Sequence, residues 1–247
     1  MNTITGLWLR QLKRYFRSRA RIIGSLGQPI LFLLVFGFGF GPIFQKAGAG
    51  DYMQFLIPGV IAMSILFTAM FAGLEIIWDK QFGFLKETLV APVSRLEIMF
   101  GRTLGGATVA LIQGLIVFAI ALCFGFHPNW AMLPLALLFM FLIAILFTAL
   151  GTAIASTLDD MQGFQLIMNF LIMPIFFLSG ALFPIQTLPV AIRFISTINP
   201  LTYGVDGLRD AFIRSGVFSV LTNLTVLIIV TGVFLAVGSY LFSKIEI

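Results

Sequence analysis

The chain has 247 residues, of which 60% are apolar and only 10% charged, with a formal net charge of +5. A soluble domain carries about 25% charged residues, so a mean hydropathy of +1.07 puts lipid rather than water around most of the surface. This excludes most soluble enzymes and leaves transport, signalling or intramembrane catalysis.

The length suits about six spanning helices of about 20 residues each, in a single transmembrane domain over residues 1–247. The 28 Phe, 24 Gly and ten Pro residues predict closely packed, locally broken helices, because neighbours satisfy the backbone groups that Gly and Pro free. Residues 3–20 predict an amphipathic helix lying on the membrane. At about 100° per residue, Ile4, Trp8, Leu12, Tyr15 and Phe16 fall on one face. Arg10, Lys13, Arg14, Arg17 and Arg21 fall opposite, and Arg19 lands among the apolar side chains. A basic face with Trp and Phe behind it suits an interfacial helix beside anionic headgroups.

The first span is read as residues 22–42, about 31 Å of helix. Gln28-Pro29 should kink it, and Gly37 with Gly41 is spaced to admit a neighbouring helix. Ala47-Gly48-Ala49 fits a small-x-small cleavage pattern. The apolar run before it is much longer than the usual h-region of about 7–15 residues, so no cleavage is expected. After a polar stretch, the second span covers residues 55–78, with Pro58-Gly59 early in it. The charged connection 79–97 is the longest. Pro92 ends one short helical piece there, and Ser94 with Glu97 forms a capping box for the next helix.

The third span is read as residues 98–124, again with small-xxx-small spacing at Gly101 and Gly105. The lone cysteine, Cys123, reads as a small buried hydrophobe within a span. His127-Pro128-Asn129-Trp130 is a tight turn, and the fourth span follows at 131–156. The acids of the turn at 157–160 suit the positive end of a fifth helix, residues 161–182. Residues 183–216 are too polar to span and too apolar for a loop. Pro184, Pro189 and Asn199-Pro200 cut them into two short helices with N-caps at Thr187 and Asn199. Asp206, Arg209, Asp210 and Arg214 are spaced for local ion pairs. Such helices dip partway into a membrane as a re-entrant lid when protein shields them, with Gly204 as a tight packing site. The last span is residues 220–242.

Orientation follows from the basic residues. With both termini cytoplasmic, the inner side holds eleven: Arg10, Lys13, Arg14, Arg17, Arg19, Arg21, Lys80, Lys86, Arg95, Arg102 and Lys244. The outer side holds four: Lys46, Arg193, Arg209 and Arg214. This obeys the positive-inside rule.

Several chemistries lack their residues. His127 is the only histidine, so no multi-histidine metal site or proton relay can be built within one chain. Ser179-Gly180 lacks the full nucleophile elbow. No G-x-x-x-x-G-K-[ST] loop exists, so no nucleotide, metal or other cofactor is expected in this chain, nor a nucleic-acid partner. Glu75 reads as a membrane-interface carboxylate. Gln113, Gln165 and Asn169 lie deep and read first as interhelical hydrogen-bonding residues, with the lining of a pathway as the alternative. The chain thus moves or binds something hydrophobic without an energy source of its own. Phe84, Leu85 and Leu89 beside Lys86, Glu87 and Arg95 suit docking to a soluble partner.

Three stretches carry a resemblance. Residues 52–59, Tyr-Met-Gln-Phe-Leu-Ile-Pro-Gly, resemble the start of the second span in membrane subunits of type-2 ABC exporters. Residues 84–95, Phe-Leu-Lys-Glu-Thr-Leu-Val-Ala-Pro-Val-Ser-Arg, resemble the cytoplasmic loop of the daunorubicin-exporter-like branch. Residues 178–184, Leu-Ser-Gly-Ala-Leu-Phe-Pro, with Asn199-Pro200-Leu201-Thr202-Tyr203, resemble the segment before that family's last span. The resemblance implies six spans, an N-terminal interfacial helix and two re-entrant helices before the last span. It also implies two permease copies working with two P-loop ATPase subunits in a bacterial or archaeal plasma membrane. The coupling residues would be Phe84, Leu85, Lys86, Glu87, Leu89, Pro92 and Arg95, and the cargo a drug, lipid or lipid-linked glycan. A self-contained channel or secondary carrier, and an intramembrane enzyme or assembly factor, are the competing classes.

Overall fold

The computed structural model describes residues 3–46, 50–83 and 94–244. All regular structure among them is helical. Helix α1 (Thr3–Arg17) and the later helix α6 (Arg95–Cys123) pack side by side. A Cβ on Gly101 would stand 3.1 Å from Ile4 and Leu7, and one on Gly105 would stand 2.7 Å from Gln11. The Trp8 indole donates to Thr108 Oγ1 at 3.0 Å, and the Tyr15 hydroxyl donates to Gln113 Oε1 at 2.7 Å. These contacts advance together along both helices, so α1 runs along α6. The face expected to meet lipid therefore meets protein over much of its length, and Phe16 stays exposed.

After Ser18 the chain re-enters helix as α2 (Arg19–Phe32), passes through a π-helical segment (Leu33–Phe38) and ends in α3 (Gly39–Lys46). The helix is longer than the expected span at both ends. The π segment follows Pro29 by about one turn, where a widened helix absorbs the disturbed bonding. Gly37 faces the Met53 side chain, whereas Gly41 faces open space; the predicted pair is half used. Asp51 caps α4 (Tyr52–Phe71) by accepting from the Met53 amide. A break at Ala72-Gly73 then sets off α5 (Leu74–Gln81). Across it the bonding tightens to i→i+3, from Ala72 N to Ala69 O through Ile76 N to Gly73 O. Gly73 here abuts the backbone of Gly151 with no room for a Cβ.

Ser94 caps α6 by accepting from the Glu97 amide at 3.2 Å. Cys123 is the last residue of α6 and is exposed, contrary to its buried reading: the helix stops before the polar turn at 124–129. Then come α7 (Leu133–Ser156) and α8 (Met161–Phe177), capped by Asp160. Helix α8 stops five residues before the expected end. Ser179 Oγ donates back to the Phe176 carbonyl, and Gly180 takes a φ of +76°, which turns the chain away. Helices α9 (Val190–Ile198), α10 (Pro200–Ile213) and α11 (Val220–Ser243) complete the chain.

Among the described residues, five helical stretches are long and apolar enough to cross a membrane: Ile22–Phe44, Tyr52–Gln81, Arg95–Cys123, Trp130–Ser156 and Val220–Ser243. Met161–Phe177 is apolar but shorter. The protein is an all-α integral membrane protein. Helix α4 lies at the centre, packed by α6, α7 and α10. Helix α1, the end of α5, the turn at 157–160 and the end of α11 gather at one end of the bundle, through Arg10–Asp79, Lys80–Asp159 and Arg95 to the Ser243 carbonyl. Helix α1 and the end of α11 therefore share one side. The start of α4, the turn at 124–132 and the segment 178–219 gather at the other, through Tyr52–Leu182, Gln54–Gly125 and Asn129–Phe212.

Candidate functional site

Helix α5 is the last described helix before residues 84–93, and its last turn is held on several sides. Its last turn places two opposite charges side by side. The Asp79 carboxylate, 5% exposed, accepts from Arg102 of α6 at 2.6 Å and from Arg10 of α1 at 3.1 Å. Arg102 is itself only 3% exposed. Lys80 points the other way. Its ammonium donates to the carbonyls of Ser156 and Leu158 at 2.8 and 3.0 Å and to Asp159 at 3.1 Å. The Gln81 amide donates to the Asp159 carbonyl. One turn earlier, Glu75 lies 3.9 Å from Arg14. A short helix is thus tied to α1, α6 and the α7–α8 turn at once. With Gly73 wedged on Gly151 behind it, α5 can act as a lever whose load reaches three neighbours.

Arg95 donates to the Ser243 carbonyl, joining the start of α6 to the end of α11. Of the residues assigned to ATPase coupling, Phe84, Leu85, Lys86, Glu87, Leu89 and Pro92 lie outside the described residues.

At the opposite end two of the family-like stretches meet. The Tyr52 hydroxyl donates to the Leu182 carbonyl at 3.0 Å, and a Cβ on Gly59 would stand 2.5 Å from the Ala181 carbonyl oxygen. Arg209 lies 3.7 Å over the Phe55 ring and donates to the Gly180 carbonyl at 3.1 Å. Asp206 accepts from the amides of Val217 and Phe218 and from the Asn223 amide group, at 2.7, 3.0 and 2.9 Å. Buried charges need such partners; Asp206 has three donors, while Arg209 Nε is left without an acceptor among the described residues. Asp206 and Arg209 therefore lock α10 to its surroundings and do not form the local surface pairs expected from their spacing.

The remaining lid residues divide. Asn199 caps α10 by accepting from the Leu201 amide at 3.0 Å, with Pro200 in the first turn, as expected. Thr187 is not a cap. It lies in a 3-10 turn (Ile185–Thr187), and its hydroxyl donates to the Pro184 carbonyl. Helix α9 starts later, behind Pro189, whose fixed φ sets its start. Gly204 is buried against Ile143, 2.7 Å from where its Cβ would be. Asp210 and Arg214 make no ion pair. Arg214 takes a left-handed φ of 53° as the C-cap of α10, which turns its side chain off the i,i+4 line, and its amide donates to the Asp210 carbonyl at 2.9 Å.

The three deep polar residues also separate. Gln113 is fully buried and bonded to Tyr15, so it joins α6 to α1. Gln165 and Asn169 are exposed on one face of α8, beside Leu166 and Phe170.

The sequence pattern of ABC-2 type transporters matches residues 3–213. The chain belongs to the ABC-2 type transporter family. Relatives of this permease family align along nearly its whole length. One is a protein of Cyanophora paradoxa named as the transport permease ycf38, 29% identical over 95% of this chain and 87% of its own. Nodulation protein J of Rhizobium leguminosarum bv. viciae is 27% identical over 91% of this chain and 87% of its own. The inner membrane transport permease YadH of Escherichia coli (strain K12) is 28% identical over 92% of this chain and 89% of its own. As an ABC-2 permease, the chain is a multi-pass transport subunit rather than an enzyme.

Proposed function

We propose that this permease is the membrane half of an ATP-driven exporter, carrying a hydrophobic or amphipathic cargo outward across a bacterial or archaeal plasma membrane. Hydrolysis occurs on a separate P-loop ATPase, present in two copies, and both termini of the permease face the cytoplasm. The observation that carries the reading is the fastening of α5 by Asp79 and Lys80. It gives the loop that follows a mechanical route into α1, α6 and α7, and supports a chain worked by an outside motor. ATP can bias the permease only if its binding energy differs between two states. A lever held on three sides would pass such a bias to three neighbours.

A second permease copy covers the exposed face of α8. Gln165 and Asn169 sit there among Leu166, Phe170 and Met173, and polar side chains are costly against lipid. That face then borders the route between the two copies, with Gln165 and Asn169 lining it. Helix α8 is the remaining crossing, and α9–α10 form the outer re-entrant segment.

The test is to look for a neighbouring reading frame that encodes a P-loop ATPase and to co-express the permease with it. The expected outcome is a native mass of two permeases and two ATPases, and ATP turnover in liposomes that rises when the permease is present. A permease that purifies alone, with turnover indifferent to it, overturns the reading.

A further inference from the structure

Between α2 and α4 lies a cavity of about 210 Å³ that neither the lever nor the α8 face uses. Its walls combine Phe67 and Phe71 with the polar side chains of Ser25, Gln28, Ser64 and Thr68. The Ser64 hydroxyl is fully buried and has no hydrogen-bond partner. Gln28 and Thr68 also make no side-chain hydrogen bond among the described residues. Pro29, on the same wall, has no N–H to give to the Ser25 carbonyl one turn earlier, which frees an acceptor there. In an apolar span such groups ordinarily back-bond within the helix or pair across helices. Tyr15 borders the cavity too, but its hydroxyl is committed to Gln113. Apolar walls with a few convergent polar groups are the general form of a small-molecule site.

We propose that this cavity receives the uncharged, hydroxyl-bearing head of an amphipathic molecule, its apolar tail lying along the exposed faces of α2 and the π segment. The inference rests on the exporter reading for calling that molecule cargo, and it narrows the cargo class. Among the described residues no Lys, Arg, Asp or Glu lines the cavity itself, so an anionic head within it would lack an immediate counter-charge. A water occupies about 30 Å³, so the space suits about seven waters or a head the size of glycerol or one sugar ring. The Ser64 and Thr68 hydroxyls and the Gln28 amide can donate as well as accept, which matches alcohol groups and not a phosphate alone.

The test is photolabelling of the permease–ATPase complex in liposomes, without nucleotide. Two probes carry the same acyl chains, with a diazirine near the head: a diacylglycerol and the corresponding phosphatidate. The diacylglycerol should label peptides spanning 24–29 and 63–71, at least about tenfold more than the phosphatidate does, since a site built on hydrogen bonds rejects a mismatched head strongly. Ser64→Leu fills the cavity and should abolish that labelling. Thr68→Val keeps the shape, removes one hydroxyl and should reduce it several-fold in complex of normal yield. Equal labelling by both probes, labelling confined to other peptides, or unchanged labelling in both variants overturns the proposal. Any of these would leave the native mass and ATP turnover untouched, so the exporter reading would stand or fall separately.

Discussion

Removing the Asp79 carboxylate is the sharpest perturbation of the lever. Asp79→Ala leaves Arg102, only 3% exposed, as a buried cation without its partner. Breaking a buried pair in this way costs about 3–5 kcal/mol. Arg10, the other partner, keeps 46% of its side chain in the open, so Arg10→Gln should cost only about 0–1 kcal/mol. For a chain of this size each kcal/mol shifts the melting temperature by about 2–4 °C. Asp79→Ala should therefore lower it by about 6–20 °C in detergent, and Arg10→Gln by about 4 °C at most. The double variant Asp79→Leu, Arg102→Met removes both charges and should recover most of the stability, because well-packed apolar replacements of a buried pair are often neutral. It should still uncouple ATP hydrolysis from transport. The assay is melting by size-exclusion of the purified complex, read beside transport per ATP hydrolysed. An Asp79→Ala protein that melts with the wild type, or a stable double variant that transports normally, refutes the argument.

Within the loop itself, Glu87→Ala or Lys86→Glu should uncouple hydrolysis from transport in protein of normal yield; wild-type transport at both positions counts against docking there. Gly204→Leu places a side chain where Ile143 leaves 2.7 Å and should reduce both folded yield and transport; normal transport would show that α10 packs more loosely. Exchanging Asp210 and Arg214 should change transport little, since no ion pair joins them, and a large loss would reveal an unrecognised role for either charge. In a Cys123→Ala background, Ser215→Cys should react with an impermeant thiol reagent added to intact cells and Ser243→Cys should not. The reverse pattern would invert the orientation.

What the sequence disclosed was local. Asn199-Pro200 marks the start of α10 because a cap and a helix-starting proline act within one turn. Gly101 and Gly105 announced a close helix neighbour, although its identity, α1, came only with the fold. Thr187 misled because Pro189 governs the helix start from two residues further on. The end of α8 is not legible in the sequence, because apolar composition continues through Ala181 and Leu182 while the backbone turns at Gly180. The lever was not legible as such, since Arg10 and Asp79 are 69 residues apart in sequence. Yet one signal was present. Arg102 sits two turns inside a mostly apolar helix, where a cation needs a partner.

The central claim is that an outside ATPase drives this permease through residues 80–97. Uptake of fluorescent amphipaths with uncharged heads into inverted membrane vesicles tests it most directly, with three preparations compared: the permease with its ATPase, the permease alone, and the permease with an ATPase unable to hydrolyse ATP. The account predicts ATP-dependent uptake in the first preparation only. Uptake by the permease alone, following an ion gradient and indifferent to ATP, would contradict it and establish a carrier instead.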